Sequence, residues 1–176
     1  NYLAMDRPGI QYSAKEICRW MAAPTEVSVG ALTRRGRYLE GCPRIIFRYA
    51  CQTVEEVDAH IVADWAGWPK TRKSTDGGCL IKSWSSTQAV ISLSSGEAEF
   101  YGVVKASSIG LGYQALMEDL GWRVDSRIWV DSTATIGICG RAGLGKLRHI
   151  DTRAFWIQQK VKDAPIELRK FRGDVN

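Results

Sequence analysis

Three acidic residues of this sequence stand where side chains can meet at one edge of a sheet. Asp64 lies at the end of a predicted strand, Glu99 in the first turn of a predicted helix, and Asp131 at the end of another strand. Open α/β sheets bind ligands at the carboxyl ends of their strands, because the chain diverges there and leaves a crevice. Converging carboxylates repel each other unless a cation lies between them. Such a set suits Mg²⁺ or Mn²⁺, and two such ions suit in-line attack on a phosphodiester.

Each acid also has a simpler interpretation. Glu99 and its neighbour Glu97 are both favourable at a helix N-terminus, where a negative charge complements the helix dipole. Helical spacing from Glu99 reaches Val103 and Ala106, which are small or apolar, so Glu99 is the better candidate for an inward-facing carboxylate. Asp131 stands between an apolar strand and a helix, where an acid can serve simply as the N-cap.

The elements that must position these acids follow from hydrophobic periodicity. The pattern predicts a mixed α/β sheet flanked by helices and preceded by a short helical segment. Helices are predicted at 11–23, from Thr25 to Gly41, and at about 97–120, 132–143 and 152–163. Strands are predicted at 44–50, 59–67, 77–86, 88–95, 127–132 and 166–171. A composition shift near 43–51 divides the chain into a helical segment, 1–50, and an α/β domain, 51–176.

Composition restricts the class of protein. The chain has 176 residues, of which 45% are hydrophobic and 24% charged, as in ordinary soluble globular proteins. Its net charge of +5 permits a polyanionic partner without requiring one. The sequence contains no run of 18 apolar residues, so no membrane span is predicted. Five cysteines without a CxxC pair, together with two histidines, argue against a zinc site and indicate a reducing, intracellular setting, either cytoplasmic or nuclear.

Two further features have one structural and one nucleic-acid interpretation. Arg34, Arg35 and Arg37 make the second predicted helix basic, which suits either a solvated helix face or contact with a phosphate backbone. Trp129 lies on a predicted strand and is interpreted as a core residue. It could stack on a base only if its ring were exposed.

A series of ordered motifs carries a family resemblance. The motifs are DWAG (64–67), TRKSTDGG (71–78), KSWSSTQAVISLSSGEAEFYG (82–102), WVDSTATIGI (129–138) and KLRHIDTR (146–153). Together they resemble the RNase H domain of the Pol polyproteins of copia-like LTR retrotransposons. Residues 1–50 are similar to the tail of the reverse transcriptase region that precedes this domain. The resemblance covers nearly the whole chain.

The resemblance implies a fold, an activity and a ligand set. The fold would be the RNase H-like mixed sheet with flanking helices. The activity would be divalent-metal-dependent cleavage of the RNA strand in RNA–DNA hybrids, with the ribose 2′-OH distinguishing the strands. Glu99 matches the glutamate of the family's long helix and Asp131 the acid after its next strand, so both would ligate Mg²⁺ or Mn²⁺. The partners would be the hybrid and the rest of the Pol polyprotein, with no membrane involved.

Three departures from the family pattern predict impaired catalysis. Val62 stands where the family has its first metal-ligating acid, and Asp64 would substitute for it only from about 6–7 Å further along an extended strand. Cys79, Leu80 and Ile81 replace a longer hairpin. Asp174 does not match the family's last acid, and we expect the domain to lack its last helix. The alternative to an impaired nuclease is a non-catalytic structural or hybrid-binding module of the polyprotein.

Overall fold

The computed structural model describes residues 4, 6–49, 51, 53–61, 80–86, 88–143, 145 and 150–171. The chain divides into two compact units, one drawn from residues 1–51 and 70–87 and the other from 52–69 and 88–176. The predicted domain boundary between residues 50 and 51 stays a prediction. Among the described residues, no helix is long and apolar enough to cross a membrane.

The described residues of the first unit form two α-helices. After a 3-10 turn at Pro8–Ile10, helix α1 covers Gln11–Cys18 and helix α2 covers Glu26–Gly41. Thr25 begins α2 through a reciprocal cap, in which its hydroxyl accepts from the Ser28 amide at 3.2 Å and the Ser28 hydroxyl accepts from the Thr25 amide at 2.9 Å. The predicted helix from Thr25 to Gly41 is therefore confirmed, whereas α1 ends five residues earlier than the predicted end at residue 23.

The predicted strand at 44–50 is wrong for its described part, 44–49. Its apolar residues are exposed, with Ile46 at 83% and Tyr49 at 65% of their maximal accessible surface. β-branched and aromatic residues suit a strand only when a second strand supplies hydrogen bonds, and within the described residues no strand pairs with this segment. The predicted strand at 77–86 is also wrong for its described part, 80–86, while 77–79 lie outside the described residues. The Tyr49 hydroxyl donates to the Leu80 carbonyl at 3.3 Å, and the side-chain amide of Gln11 donates to the Ser83 hydroxyl at 2.8 Å.

The second unit is built on a parallel sheet. Strands β1 (Glu56–His60), β2 (Asp125–Val130) and β3 (Ile166–Lys170) lie in the order β1-β2-β3, so β2 is central. The carboxyl ends of all three strands therefore lie at the same edge. The α/β class with flanking helices is confirmed and is consistent with an RNase H-like fold. Strand β1 begins three residues before its predicted start, and residues 62–67 of that prediction lie outside the described residues.

Helix α3 (Ser95–Asp119) packs along one face of this sheet, and α4 (Thr133–Gly140), a 3-10 turn (Thr152–Phe155) and α5 (Trp156–Lys162) follow β2. The fully buried core includes Phe100, Val103 and Ile128. Glycines let α3 approach the strands closely. A Cβ added to Gly110 would lie only 2.6 Å from the Ser126 hydroxyl of β2. A larger residue at position 110 would force the Ser126 side chain or the helix to shift.

The predicted strand at 88–95 is wrong, and its residues cap helix α3 instead. Ser94 is the N-cap, and its hydroxyl accepts from the Glu97 amide at 3.2 Å. The Leu93 amide donates to the Glu97 carboxylate at 2.8 Å, and the Gln88 side chain donates to the Ala98 carbonyl. Because polar side chains bind the unpaired groups of the first helical turn, this segment folds over the helix end rather than pairing in a ladder.

Trp129 is not a core residue. It lies on the sheet face away from α3, where its ring stacks on His60 with 5.8 Å between centroids and 5° between planes. Its indole N–H donates to Asp58 at 3.0 Å, and the Arg169 guanidinium lies 5.7 Å from its ring centroid. Arg127 makes a two-pronged hydrogen bond to the same Asp58 carboxylate, at 2.8 and 2.9 Å. Neighbours on its own sheet thus already bind the ring of Trp129 and its N–H.

The thiols differ in reactivity. Cys42 and Cys51 are exposed, while Cys139 is buried in α4, and burial raises its pKa to about 12. The thiolate is the reactive form, so we expect iodoacetamide at pH 8 to alkylate Cys139 at least about a hundredfold more slowly than Cys42 or Cys51. Peptide mass spectrometry before and after urea unfolding measures this. Equal labelling of these three thiols in the native chain would contradict the burial of Cys139.

Candidate functional site

Glu99 lies near the N-terminus of helix α3, and its side chain is buried. Glu99 keeps 8% of its accessible surface and Glu97 only 2%, so both acids are buried and the expectation that Glu99 is the better candidate for facing inward was wrong. The two carboxylates have different tasks. That of Glu97 accepts the Leu93 amide and closes the helix N-terminus. The hydrogen bonds of Glu99 instead reach residues of the chain segment that begins helix α4.

Asp131 directly follows β2, but it is not the cap of the next helix. That role belongs to Ser132, whose hydroxyl accepts from the Thr135 amide at 3.3 Å. The N-cap interpretation of Asp131 is therefore wrong. Since Ser132 already satisfies the helix end, the exposed Asp131 carboxylate is available for other contacts at the carboxyl edge of the sheet.

Close packing of two helix N-termini brings the acids together. The first turns of α3 and α4 meet at Gly96, where an added Cβ would touch the Ala134 methyl group at 3.4 Å. The Thr135 hydroxyl donates to the Gly96 carbonyl at 3.0 Å and fixes this approach. As a result, the carboxyl group of Asp131 lies close enough to that of Glu99 to raise its pKa. Two of the three predicted site residues therefore meet.

The contact between the two carboxyl groups changes the protonation of Glu99. Burial, then the hydrogen bond and negative charge of Asp131, raise the pKa of Glu99 from 4.5 to about 7. The Thr135 hydroxyl and the Ser132 backbone act in the opposite direction. Near neutral pH, Glu99 therefore holds a proton about half of the time. A cation bound between the carboxylates would replace that proton, because it stabilises the ionised form of both groups.

The carboxylates of Glu99 and Asp131 are suitable ligands for a hard divalent cation. Two carboxylates at one sheet edge are the oxygen ligands that Mg²⁺ and Mn²⁺ prefer. The described residues contain no group of three or more metal-ligating side chains. Asp64, the third predicted ligand, lies outside the described residues, as do Val62 and Asp174. The assignment of Glu99, Asp131 and Asp64 as metal ligands stays a prediction.

Sequence reasoning missed Thr135. Its side chain is completely buried, and its hydroxyl lies 3.0 Å from the Gly96 carbonyl and 3.4 Å from a Glu99 carboxylate oxygen. The available signal was its position three residues after Ser132, in the first turn of α4. A threonine there is also an ordinary component of a helix N-terminus, so the sequence alone does not separate the two uses.

Comparison with known proteins identifies relatives over nearly the whole chain. The Retrovirus-related Pol polyprotein from transposon RE1 of Arabidopsis thaliana is 31% identical over an alignment that covers 95% of this chain and 12% of the relative. The polyprotein from transposon RE2 of the same plant is 29% identical over the same shares. That from transposon TNT 1-94 of Nicotiana tabacum is 24% identical over 97% of this chain and 13% of the relative.

The homologues of this chain are thus retrovirus-related Pol polyproteins, which confirms that part of the resemblance. The chain spans about an eighth of the length of these relatives, since the covered share is 12% or 13%. No family model matches the chain. No solved structure matches it either. The RNase H assignment within the polyprotein stays a prediction.

Proposed function

We propose that this chain is the RNase H-like segment of a retrotransposon Pol polyprotein, that it binds Mg²⁺ or Mn²⁺, and that its cleavage of RNA–DNA hybrids is impaired. One observation carries the proposal. The packed N-termini of helices α3 and α4 bring the carboxyl groups of Glu99 and Asp131 close enough to interact beside the carboxyl edge of a parallel sheet, at the positions that the family motifs assign to metal ligands. Neither acid is needed to cap a helix, since Ser94 and Ser132 do this.

Glu99 and Asp131 would hold the cation, with Asp64 as the proposed third ligand. When bound, a divalent ion supplies charge neutralisation at a phosphodiester and favours attack by a water molecule. The contribution of the protein is to keep the two carboxylates adjacent before the ion arrives. Without the ion, burial of Glu99 and the neighbouring Asp131 carboxylate both disfavour the ionised form of Glu99, and its pKa is raised.

The proposed substrate is the RNA strand of an RNA–DNA hybrid, and the other proposed partner is the rest of the polyprotein. The motif resemblance supports the hybrid, and the Pol polyprotein relatives support the larger chain. A chain charge of +5 is compatible with a polyanionic substrate but is too small to argue for it.

The impairment rests on Val62. Replacing a carboxylate ligand by a valine removes one negative charge from the metal site, which weakens both metal binding and transition-state stabilisation. Asp64 is two residues further along the chain, about 6–7 Å in an extended strand, whereas catalytic sites tolerate displacements of roughly 0.5 Å. The same observation favours the second candidate, a non-catalytic module that binds the hybrid or supports the polyprotein.

We expect the wild-type chain to cleave a fluorescently labelled RNA–DNA hybrid slowly or not at all in Mg²⁺, and Val62→Asp to cleave at least about tenfold faster. Gel analysis of initial rates measures both. Val62→Asn is the matched control, because it has the size and polarity of aspartate without the charge. Adding Glu99→Gln or Asp131→Asn to Val62→Asp should abolish the gain.

Two results would decide against the impaired nuclease. Robust wild-type turnover that disappears in Glu99→Gln would mean that Asp64 suffices and that the chain is an active enzyme. A Val62→Asp chain that binds the hybrid and Mg²⁺ but shows no cleavage would favour the non-catalytic module.

A further inference from the structure

Thr135 joins the two helices that carry the site. Its side chain is fully buried, although a threonine in the first turn of a helix is usually exposed to solvent. Its hydroxyl donates across the helix pair rather than within its own helix, to the Gly96 carbonyl at 3.0 Å. The same oxygen lies 3.4 Å from a carboxylate oxygen of Glu99. One buried hydroxyl therefore contacts both the backbone and the acid of helix α3.

We infer that Thr135 is a positioning residue for Glu99, holding its carboxylate beside Asp131 so that the pair can receive a divalent cation. The inference rests on the metal binding proposed above and assigns a role to a residue outside the predicted ligand set. Thr135 would not touch the ion. It would act by restricting the orientation of a ligand that does.

The capping of helix α4 does not account for the Thr135 hydroxyl. Ser132 is the N-cap, and it uses the backbone amide of Thr135, leaving the hydroxyl of Thr135 free for other partners. A threonine inside a helix commonly bonds back to a carbonyl of its own helix, which slightly bends it. Here the hydroxyl bonds to Gly96, 39 residues earlier in the chain. Its contacts are therefore tertiary, and both are on the helix that carries Glu99.

The geometry of donors and acceptors makes the hydroxyl hard to replace. A threonine hydroxyl has one proton and two lone pairs, while Gly96 offers only an acceptor at this point. An ionised Glu99 is also an acceptor, so the hydroxyl proton is shared between the carbonyl and the carboxylate. The distance from the hydroxyl to the Gly96 carbonyl is 0.4 Å shorter than its distance to the Glu99 carboxylate, so the bond to Gly96 holds the hydroxyl in place. From that position the hydroxyl restricts one oxygen of Glu99. Valine has nearly the same shape but cannot form a hydrogen bond to either group.

Groups that orient metal ligands are worth a measurable share of metal affinity, typically 10–100-fold when they are removed. We therefore expect Thr135→Val to bind Mg²⁺ at least about tenfold more weakly than the wild-type chain, and Thr135→Ser to stay within about threefold. Isothermal titration with MgCl₂ measures the affinity, and Mn²⁺ binding followed by electron paramagnetic resonance gives an independent value. Neither readout requires turnover, so impaired catalysis does not affect them.

Two controls separate positioning from general damage to the fold. Thr133→Val removes a hydroxyl from an exposed position in the same helical turn and should leave Mg²⁺ affinity unchanged. Circular dichroism establishes that each variant is folded. If Thr135→Val does not fold, Thr135→Cys provides a similar volume with a weak donor and should show the same direction of loss.

The outcomes distinguish this inference from the function on which it rests. A wild-type chain that takes up no Mg²⁺ or Mn²⁺ overturns the proposed metal site and the role of Thr135 with it. A wild-type chain that binds Mg²⁺, with no loss in a folded Thr135→Val chain, overturns the positioning role alone. A loss in Thr135→Val that Thr135→Ser does not restore would also overturn it, because the hydroxyl would not be the group responsible.

Discussion

Glu99→Gln is expected to make the folded chain more stable than the wild type at pH 8, with the two chains converging near pH 4.5. The reason is the raised pKa of Glu99, which goes from 4.5 to about 7 through burial and the neighbouring Asp131 carboxylate. In the wild type, folding at high pH must bury a charge beside another charge. Glutamine has nearly the same shape, can still accept from the Thr135 hydroxyl and can donate to the Asp131 carboxylate, and carries no charge.

The direction of the pH dependence follows from proton linkage. Between pH 4.5 and about 7 the folded chain holds a proton on Glu99 that the unfolded chain has released. Stability of the wild type therefore falls as pH rises through this window and becomes constant above it. The rise of the Glu99 pKa from 4.5 to about 7 sets an upper bound of about 3 kcal/mol on this loss. Solvent access on the Asp131 side lowers the expected loss to about 1–2 kcal/mol.

Urea denaturation followed by circular dichroism at pH 4.5, 6, 7 and 8 measures this effect. Glu118→Gln is the matched control, because Glu118 lies exposed near the other end of the same helix and its removal should leave the pH profile unchanged. At pH 8, Mg²⁺ should stabilise the wild type more than Glu99→Gln, since only the wild type presents two carboxylates. A Glu99→Gln chain with an undiminished pH slope would show that another group titrates in this window.

The residues that could be predicted from the sequence are those whose signal is local. Helix α2 begins at Thr25, where the sequence predicted its start, because a hydroxyl N-cap acts within three residues. Strand β2 ends in the apolar residues Ile128, Trp129 and Val130 next to an acid, which predicted both the strand and the position of Asp131. The predicted edge of the sheet follows from the same local pattern, given that the strands are parallel.

Two of the failures depend on partners that are distant in sequence. Residues 44–49 have strand propensity but no strand beside them within the described residues, so propensity alone misassigned them. The alternative interpretation of Asp131 as an N-cap failed for a local reason, since Ser132 performs that task one residue later. Thr135 contacts Gly96, which is 39 residues away, and its importance appears only once both helices are placed. The contact between Glu99 and Asp131 could be anticipated, whereas the residue that fixes it could not.

The second large effect is expected at Gly110, where helix α3 crosses strand β2. Gly110→Ala should lower the free energy of unfolding by about 1–3 kcal/mol, even though alanine is the better helix former. The added Cβ would lie 2.6 Å from the Ser126 hydroxyl, which is well inside van der Waals contact. Ser126 is itself buried at 1% exposure, and its hydroxyl has no hydrogen-bond partner among the described residues.

A second substitution should reverse this loss. In Gly110→Ala with Ser126→Ala, the clashing oxygen is gone and the nearest atoms to the new Cβ are Ile128 Cδ1 at 3.7 Å and the residue 126 Cβ at 3.9 Å. These are ordinary contacts. Removing an unsatisfied buried hydroxyl gains about 1–3 kcal/mol, and replacing glycine inside a helix gains up to about 1 kcal/mol. We therefore expect the double variant to be more stable than the wild type by about 1–3 kcal/mol.

A double-mutant cycle by urea denaturation isolates the packing term from helix propensity. Gly112→Ala measures helix propensity alone, because no neighbouring atom lies within 4 Å of a Cβ added at this position of the same helix. It should raise the free energy of unfolding by up to about 1 kcal/mol. The coupling between Gly110→Ala and Ser126→Ala should then be at least about 2 kcal/mol, since one oxygen causes both the clash and its relief. If Gly110→Ala behaves like Gly112→Ala, the Ser126 hydroxyl rotates away at little cost and the close approach of α3 to β2 does not depend on glycine.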